Sequence, residues 1–155
     1  METVGIGRYF EDMAVGTKFK TIGRSITETD IVNFVNCTGM VELLFTNLEF
    51  LKNESPIKQR IAPAALVYSL AEGLIIQSTL QYTGMAFLEM DLKTHGPVAL
   101  GDTIHVEVEV IEAKLSQSKP GRGVVRTRNQ VVKQDGKVAL TYTPARMMKC
   151  RGASA

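Results

Sequence analysis

Pro63-Ala64-Ala65-Leu66-Val67-Tyr68-Ser69-Leu70-Ala71-Glu72-Gly73-Leu74-Ile75-Ile76-Gln77 is the stretch that decides the fold. Nearly every residue in it is a helix former or apolar, and Pro63 suits a first helical position, so a helix is predicted here. A helix apolar nearly all round has no face to give to water and must be enclosed. The enclosing layer is legible downstream. Thr103 to Val110 alternates strictly, with Ile104, Val106, Val108 and Val110 on one face and His105, Glu107 and Glu109 on the other. That is a strand with one dry and one wet face. Gly123 to Lys133 and Lys137 to Met148 are strand-like runs separated by Gln134-Asp135-Gly136, whose Asp-Gly pair signals a tight hairpin. Met85 to Lys93 supplies one more strand. The expected fold class is α+β, a curled antiparallel sheet wrapped round a central buried helix.

Upstream, Thr17 to Ser25 reads as a short strand. Thr27-Glu28-Thr29-Asp30 then offers a side-chain oxygen to orphan amides and a carboxylate near the positive helix end. A helix follows, with Ile31, Phe34 and Val35 on its buried stripe. From Cys37 to Arg60 the apolar residues crowd without a clean period and Asn53-Glu54-Ser55-Pro56 breaks what precedes it, so this segment reads as a partly helical excursion over a pocket or an interface. One domain is expected over 1–151, with a frayed tail at 152–155.

The chain has 155 residues, 45% hydrophobic and 22% charged, enough for one domain with a real core and too short for two ordinary ones. Eighteen Lys and Arg against sixteen Asp and Glu leave a net charge of +2 with the basic residues dispersed, so no nucleic-acid partner is expected. Cys37 and Cys150 show no metal-ligand spacing, and metal is expected nowhere. Both cysteines read as reduced thiols, Cys37 as a small buried hydrophobe. No segment is apolar and long enough to cross a membrane, and the first ten residues have no apolar core for secretion, so the expected location is cytoplasmic with no membrane contact.

Several stretches resemble one family, the MaoC-like (R)-specific enoyl-CoA hydratases and dehydratases of the hotdog fold. They are Arg8-Tyr9-Phe10-Glu11-Asp12 with Val15-Gly16, Arg24 through Phe34, Thr38-Gly39, Arg60-Ile61-Ala62-Pro63-Ala64-Ala65-Leu66, and Gly96 through Ile104 with its Gly101-Asp102. The resemblance implies a single hotdog domain, a homodimer, and an acyl-CoA or related thioester as ligand with no other cofactor. In the resembling family an Asp after Thr-Gly and a His five residues later hold the water added across a 2-enoyl thioester. Here Met40 and Phe45 stand at those two places. Neither side chain exchanges a proton, so the usual chemistry is not expected at them. The acyl-binding half persists: the family's carbonyl-polarising amide corresponds to that of Ala64, and Thr38, Gly39 and Asn47 lie near enough in sequence to contact a substrate.

Other polar residues carry open alternatives. Glu42 is either a migrated base or a rim carboxylate. Glu72, alone on an apolar helix, is either the base of an acyl-CoA thioesterase, a residue of the helix's polar edge, or one half of a pair across a dimer interface. His95 reaches a pocket mouth or is merely exposed, and His105 sits on a wet face. Arg122, Arg126 and Arg128 share one strand face and either meet the phosphates of a CoA nucleotide or are ordinary surface charge. The functional expectation is an acyl-thioester-binding hydratase/dehydratase homologue, with a non-catalytic subunit that pairs with an active homologue, or a thioesterase using Glu72, as alternatives.

Overall fold

A computed structural model describes residues 1–152, so of the expected tail at 152–155 all but Gly152 lies outside the described residues. Eight antiparallel strands form one sheet: β1 (Lys18–Lys20), β2 (Arg24–Ser25), β3 (Gly84–Glu89), β4 (Leu92–Thr94), β5 (Thr103–Leu115), β6 (Arg122–Lys133), β7 (Val138–Tyr142) and β8 (Ala145–Lys149). The helices are α1 (Glu28–Thr38), α2 (Leu43–Thr46), α3 (Leu48–Asn53) and α4 (Ala64–Ile75), the last running on into a π-helical turn at Ile76–Leu80.

Three runs expected as single strands are each split in two. Thr17 to Ser25 becomes β1 and β2, both paired with β5; Met85 to Lys93 becomes β3 and β4; Lys137 to Met148 becomes β7 and β8. Pro144 explains the last of these, because a residue without an N–H interrupts a ladder. β6 is long enough to serve both halves, pairing β8 along Arg122–Arg126 and β7 along Asn129–Val132. The outer strands break in step: β3 pairs β8, β4 pairs β7, and at the break the Thr143 N–H donates to the Asp91 carbonyl at 2.9 Å. The result is a five-ribbon sheet that curls, with β3 and β4 as one of its free edges.

α4 lies in the curl. Leu66, Val67, Ala71, Leu74 and Ile75 join Val106, Val108, Val131, Leu140 and Tyr142 in the main core. Burying each Val, Leu or Ile among these contributes roughly 1.5–3 kcal/mol, and that burial fixes the register of the strands beneath. One detail of the helix start differs from expectation. Pro63 is the N-cap (φ −51°, ψ 139°), not the first helical residue, so Ala64 opens the helix. Pro63's extended ψ follows from its position just outside the helical turn, where the chain arrives from Ile61 and Ala62 as an extended segment.

α1 starts as the sequence predicts. The Thr27 hydroxyl accepts from the Asp30 N–H at 3.2 Å, and the Asp30 carboxylate accepts from the Thr27 N–H at 2.9 Å. The helix ends at Gly39, whose φ of 70° suits glycine and lets its N–H reach the Val35 carbonyl at 3.0 Å. Ile31 and Val35 are buried and Phe34 partly so, but Cys37 is exposed, which corrects the reading of it as a buried hydrophobe. The stripe that faces the core centres on Ile31 and Val35, and Cys37 lies on its flank, beyond Phe34, which is itself only partly buried. Among the described residues no helix is long and apolar enough to cross a membrane.

Candidate functional site

The chain reaches α4 along a seam with the loop after β4. Ala62 donates its N–H to the Val98 carbonyl at 2.8 Å, Ile61 bridges Ala99, and Leu100 donates to the Arg60 carbonyl at 2.9 Å. These bonds hold His95-Gly96-Pro97 beside the first turn of the helix. His95 is anchored on its other side, its N–H donating to the Ala139 carbonyl at 2.8 Å. From a third direction α2 brings in Phe45. Between them opens a cavity of about 370 Å³ whose walls include Phe45, Ile61, Ala64, Val67, His95 and Leu140.

The electrostatics of this cavity come from the helix end and one imidazole. No side chain caps α4, and its first hydrogen bond is from the Val67 N–H to the Pro63 carbonyl at 3.1 Å. The first-turn amides of Ala64, Ala65 and Leu66 therefore have no intrahelical acceptor and stand at the positive end of the helix dipole. Such an end attracts a carbonyl oxygen or an anion, and an amide fixed in a helix costs nothing to reorient. Ala64 does not have a positive φ, so its Cβ imposes no backbone strain there. The His95 ring Nε2 lies 2.9 Å from the Thr141 hydroxyl.

Of the sequence candidates, Phe45, Ala64 and His95 are brought to one wall-to-wall space, while the others are placed elsewhere. Met40 is 42% exposed and does not line the cavity. Glu42 is exposed at the start of α2. Thr38 spends its hydroxyl on the Phe34 carbonyl at 2.6 Å, Gly39 terminates α1, and the Asn47 side chain accepts from the Phe50 N–H at 2.9 Å as the cap of α3. Arg126 is ion-paired with Glu89 and Glu112, Arg128 with Glu109 at 3.0 Å, and Arg122 begins the same strand; none of the three lines the cavity. His105 contacts Glu107 at 3.3 Å.

Glu72 is not a free carboxylate. It forms an ion pair with Arg146 of β8, the two side chains being 12% and 8% exposed. Tyr142 is fully buried beside it, and burial first, then the Glu72 charge, pushes its phenol well above the usual range. A base held by a guanidinium is poorly placed to take a proton. Asp102, in the Gly101-Asp102 pair of the resemblance, is a structural anchor. Burial opposes its charge, but Lys133 at 2.7 Å, Gln134 at 2.7 Å and the Ala99 amide at 2.8 Å outweigh that and hold its carboxyl below the ordinary range.

Sequence reasoning missed the partners and the walls. Thr141 and Arg146 lie far along the chain from His95 and Glu72, and only the strand pairing joins them. Ile61 and Leu140 looked like ordinary core residues, and no local signal marks them as cavity walls.

Residues 11–134 match the family model described as a MaoC like domain. The 3-hydroxybutyryl-CoA dehydratase of Methylorubrum extorquens is 29% identical over 104 residues, 67% of this chain and 64% of that enzyme. The matched stretch thus spans somewhat under two thirds of that relative's length. A solved structure of a monoamine oxidase regulatory protein from Archaeoglobus fulgidus is 31% identical, with a TM-score of 0.81 over 93% of this chain and 95% of that one. A Mycobacterium tuberculosis protein with a double hotdog fold superposes with a TM-score of 0.81 at 22% identity, covering 99% of this chain and 47% of that one.

Proposed function

The chain belongs to the MaoC-like domain family and has its hotdog architecture, and from that premise we propose that it binds an acyl-CoA or related acyl thioester with its carbonyl at the start of α4. The observation that carries this reading is the cavity itself. An uncapped helix N-terminus opens into a space walled by Phe45, Ile61, Val67 and Leu140, which suits a polarised carbonyl attached to a short apolar chain. Met40 and Phe45 leave the two positions of the family's acid–base pair without a titratable group, so chemistry at those positions is absent. The test is calorimetric titration with butyryl-CoA and with free CoA. Butyryl-CoA is expected to bind at least tenfold more tightly; equal affinity, or none for either, would reject a thioester site.

The same reading includes a homodimer. β3 is exposed along its whole length, with Met85, Phe87 and Leu88 each about half exposed, and it pairs on one side only, with β8. A long apolar edge of that kind is covered in proteins that stay dispersed. The matched double hotdog protein, of which this chain covers 47%, has the length for two such units. Leu88→Lys is expected to convert a wild-type dimer to monomer in sedimentation analysis. A wild-type monomer would refute self-pairing, and recovery of the dimer only with a homologous chain would favour the partner-subunit role.

A further inference from the structure

Among the described residues, His95 is the one lining the cavity whose side chain is an acid–base group. Its position is fixed twice, by the backbone bond to Ala139 at 2.8 Å and by the ring contact of Nε2 with the Thr141 hydroxyl at 2.9 Å. Nδ1 has no hydrogen-bond partner among the described residues. The same cavity is lined by Ala64, the first residue of the uncapped α4, and the other described wall residues bear no charge; Thr141, the ring partner of His95, is neutral. An exposed imidazole lining the same cavity as a ready-made carbonyl site is the minimum equipment for moving a proton next to a polarised thioester.

We infer that His95 is the acid–base group of this cavity, serving the addition of water to a 2-enoyl thioester or its removal from a 3-hydroxyacyl thioester. The inference rests on the thioester reading above. In the addition, Nδ1 takes a proton from water as the water oxygen bonds to C3. The C2–C3 π pair shifts toward C1 and the carbonyl pair onto the oxygen held by the Ala64 N–H. The resulting enolate collapses as C2 takes the proton from the imidazolium, leaving one hydroxyl at C3, one new hydrogen at C2 and neutral His95. Removal of water runs the same steps backwards. One residue handles the proton in both directions, and Thr141 is a positioning residue that keeps the ring turned.

The test follows hydration of 2-butenoyl-CoA by the wild type, His95→Gln and His95→Ala, with butyryl-CoA titrations alongside. His95→Gln keeps a polar atom for Thr141 and loses the base. Its kcat/KM is expected to fall by roughly 10²–10⁴ with little change in butyryl-CoA affinity, and the imidazole limb of the pH–rate profile is expected to vanish. Added imidazole should restore part of the rate to His95→Ala. Wild-type turnover that His95→Gln leaves unchanged in rate and pH profile would overturn the role of His95 while sparing the thioester site. Binding of butyryl-CoA without any wild-type turnover would do the same. A wild type that fails to bind butyryl-CoA would overturn both.

Discussion

Replacing Arg146 with methionine is expected to lower the stability of the fold by about 3–5 kcal/mol in urea denaturation, the cost typical of breaking a buried ion pair from one side. Glu72 would be left without its ion-pair partner in a site that is 12% exposed, between α4 and β8 and beside the buried phenol of Tyr142. Its Oε1 already lacks a hydrogen-bond partner, and the buried Tyr142 hydroxyl is the neutral donor beside it. The double replacement Glu72→Met with Arg146→Met removes both charges at similar volume and should recover most of the loss, because much of a buried pair's attraction offsets its own desolvation. A single variant that loses less than about 1 kcal/mol would show that Glu72 finds water or another partner in solution.

Ala64→Pro is expected to abolish carbonyl recognition while leaving the fold intact. Proline is well tolerated at the first helical position, where its missing N–H removes no helical hydrogen bond, and Pro63 already has the extended ψ that a following proline requires. What disappears is the first-turn amide of a residue that lines the cavity. Losing one such donor should weaken butyryl-CoA binding by about tenfold, and slow any turnover by roughly 10²–10³. Ala64→Gly keeps the amide and should keep the affinity to within a few-fold, which separates loss of the donor from simple tampering with the helix start. Matched melting temperatures for the two variants, read by circular dichroism, would confirm that the fold is not the cause.

The parts of this molecule that obey a local period were legible from residues alone. Thr27 and Asp30 announce the start of α1, the apolar run from Ala64 announces a buried helix, and the alternation from Ile104 to Val110 announces β5 with its correct inner face. The breaks in the strands were not, because Pro144 interrupts a ladder only once its neighbours are known. Nor was Cys37's exposure, which depends on which face of a short helix meets the sheet. Of the site, Phe45, Ala64 and His95 could each be named from the sequence. Their convergence could not, since it depends on the seam between Ala62 and Val98. Glu72 shows the converse. Its isolation on an apolar helix left a base, a polar-edge residue and half of an interface pair all open, and its actual partner, Arg146, lies on a strand that only the folded sheet brings near.

The most direct test of the central claim reads the thioester itself. Butyryl-CoA labelled with carbon-13 at the carbonyl can be followed by isotope-edited infrared difference spectroscopy, free and bound to the wild type, Ala64→Gly and Ala64→Pro. If the first-turn amide of α4 holds that oxygen, the carbonyl stretch moves to lower frequency on binding to the wild type and to Ala64→Gly, and the shift is lost in whatever fraction Ala64→Pro still binds. A bound thioester whose carbonyl absorbs where it does in water, or whose shift survives in Ala64→Pro, would contradict the assignment of this cavity.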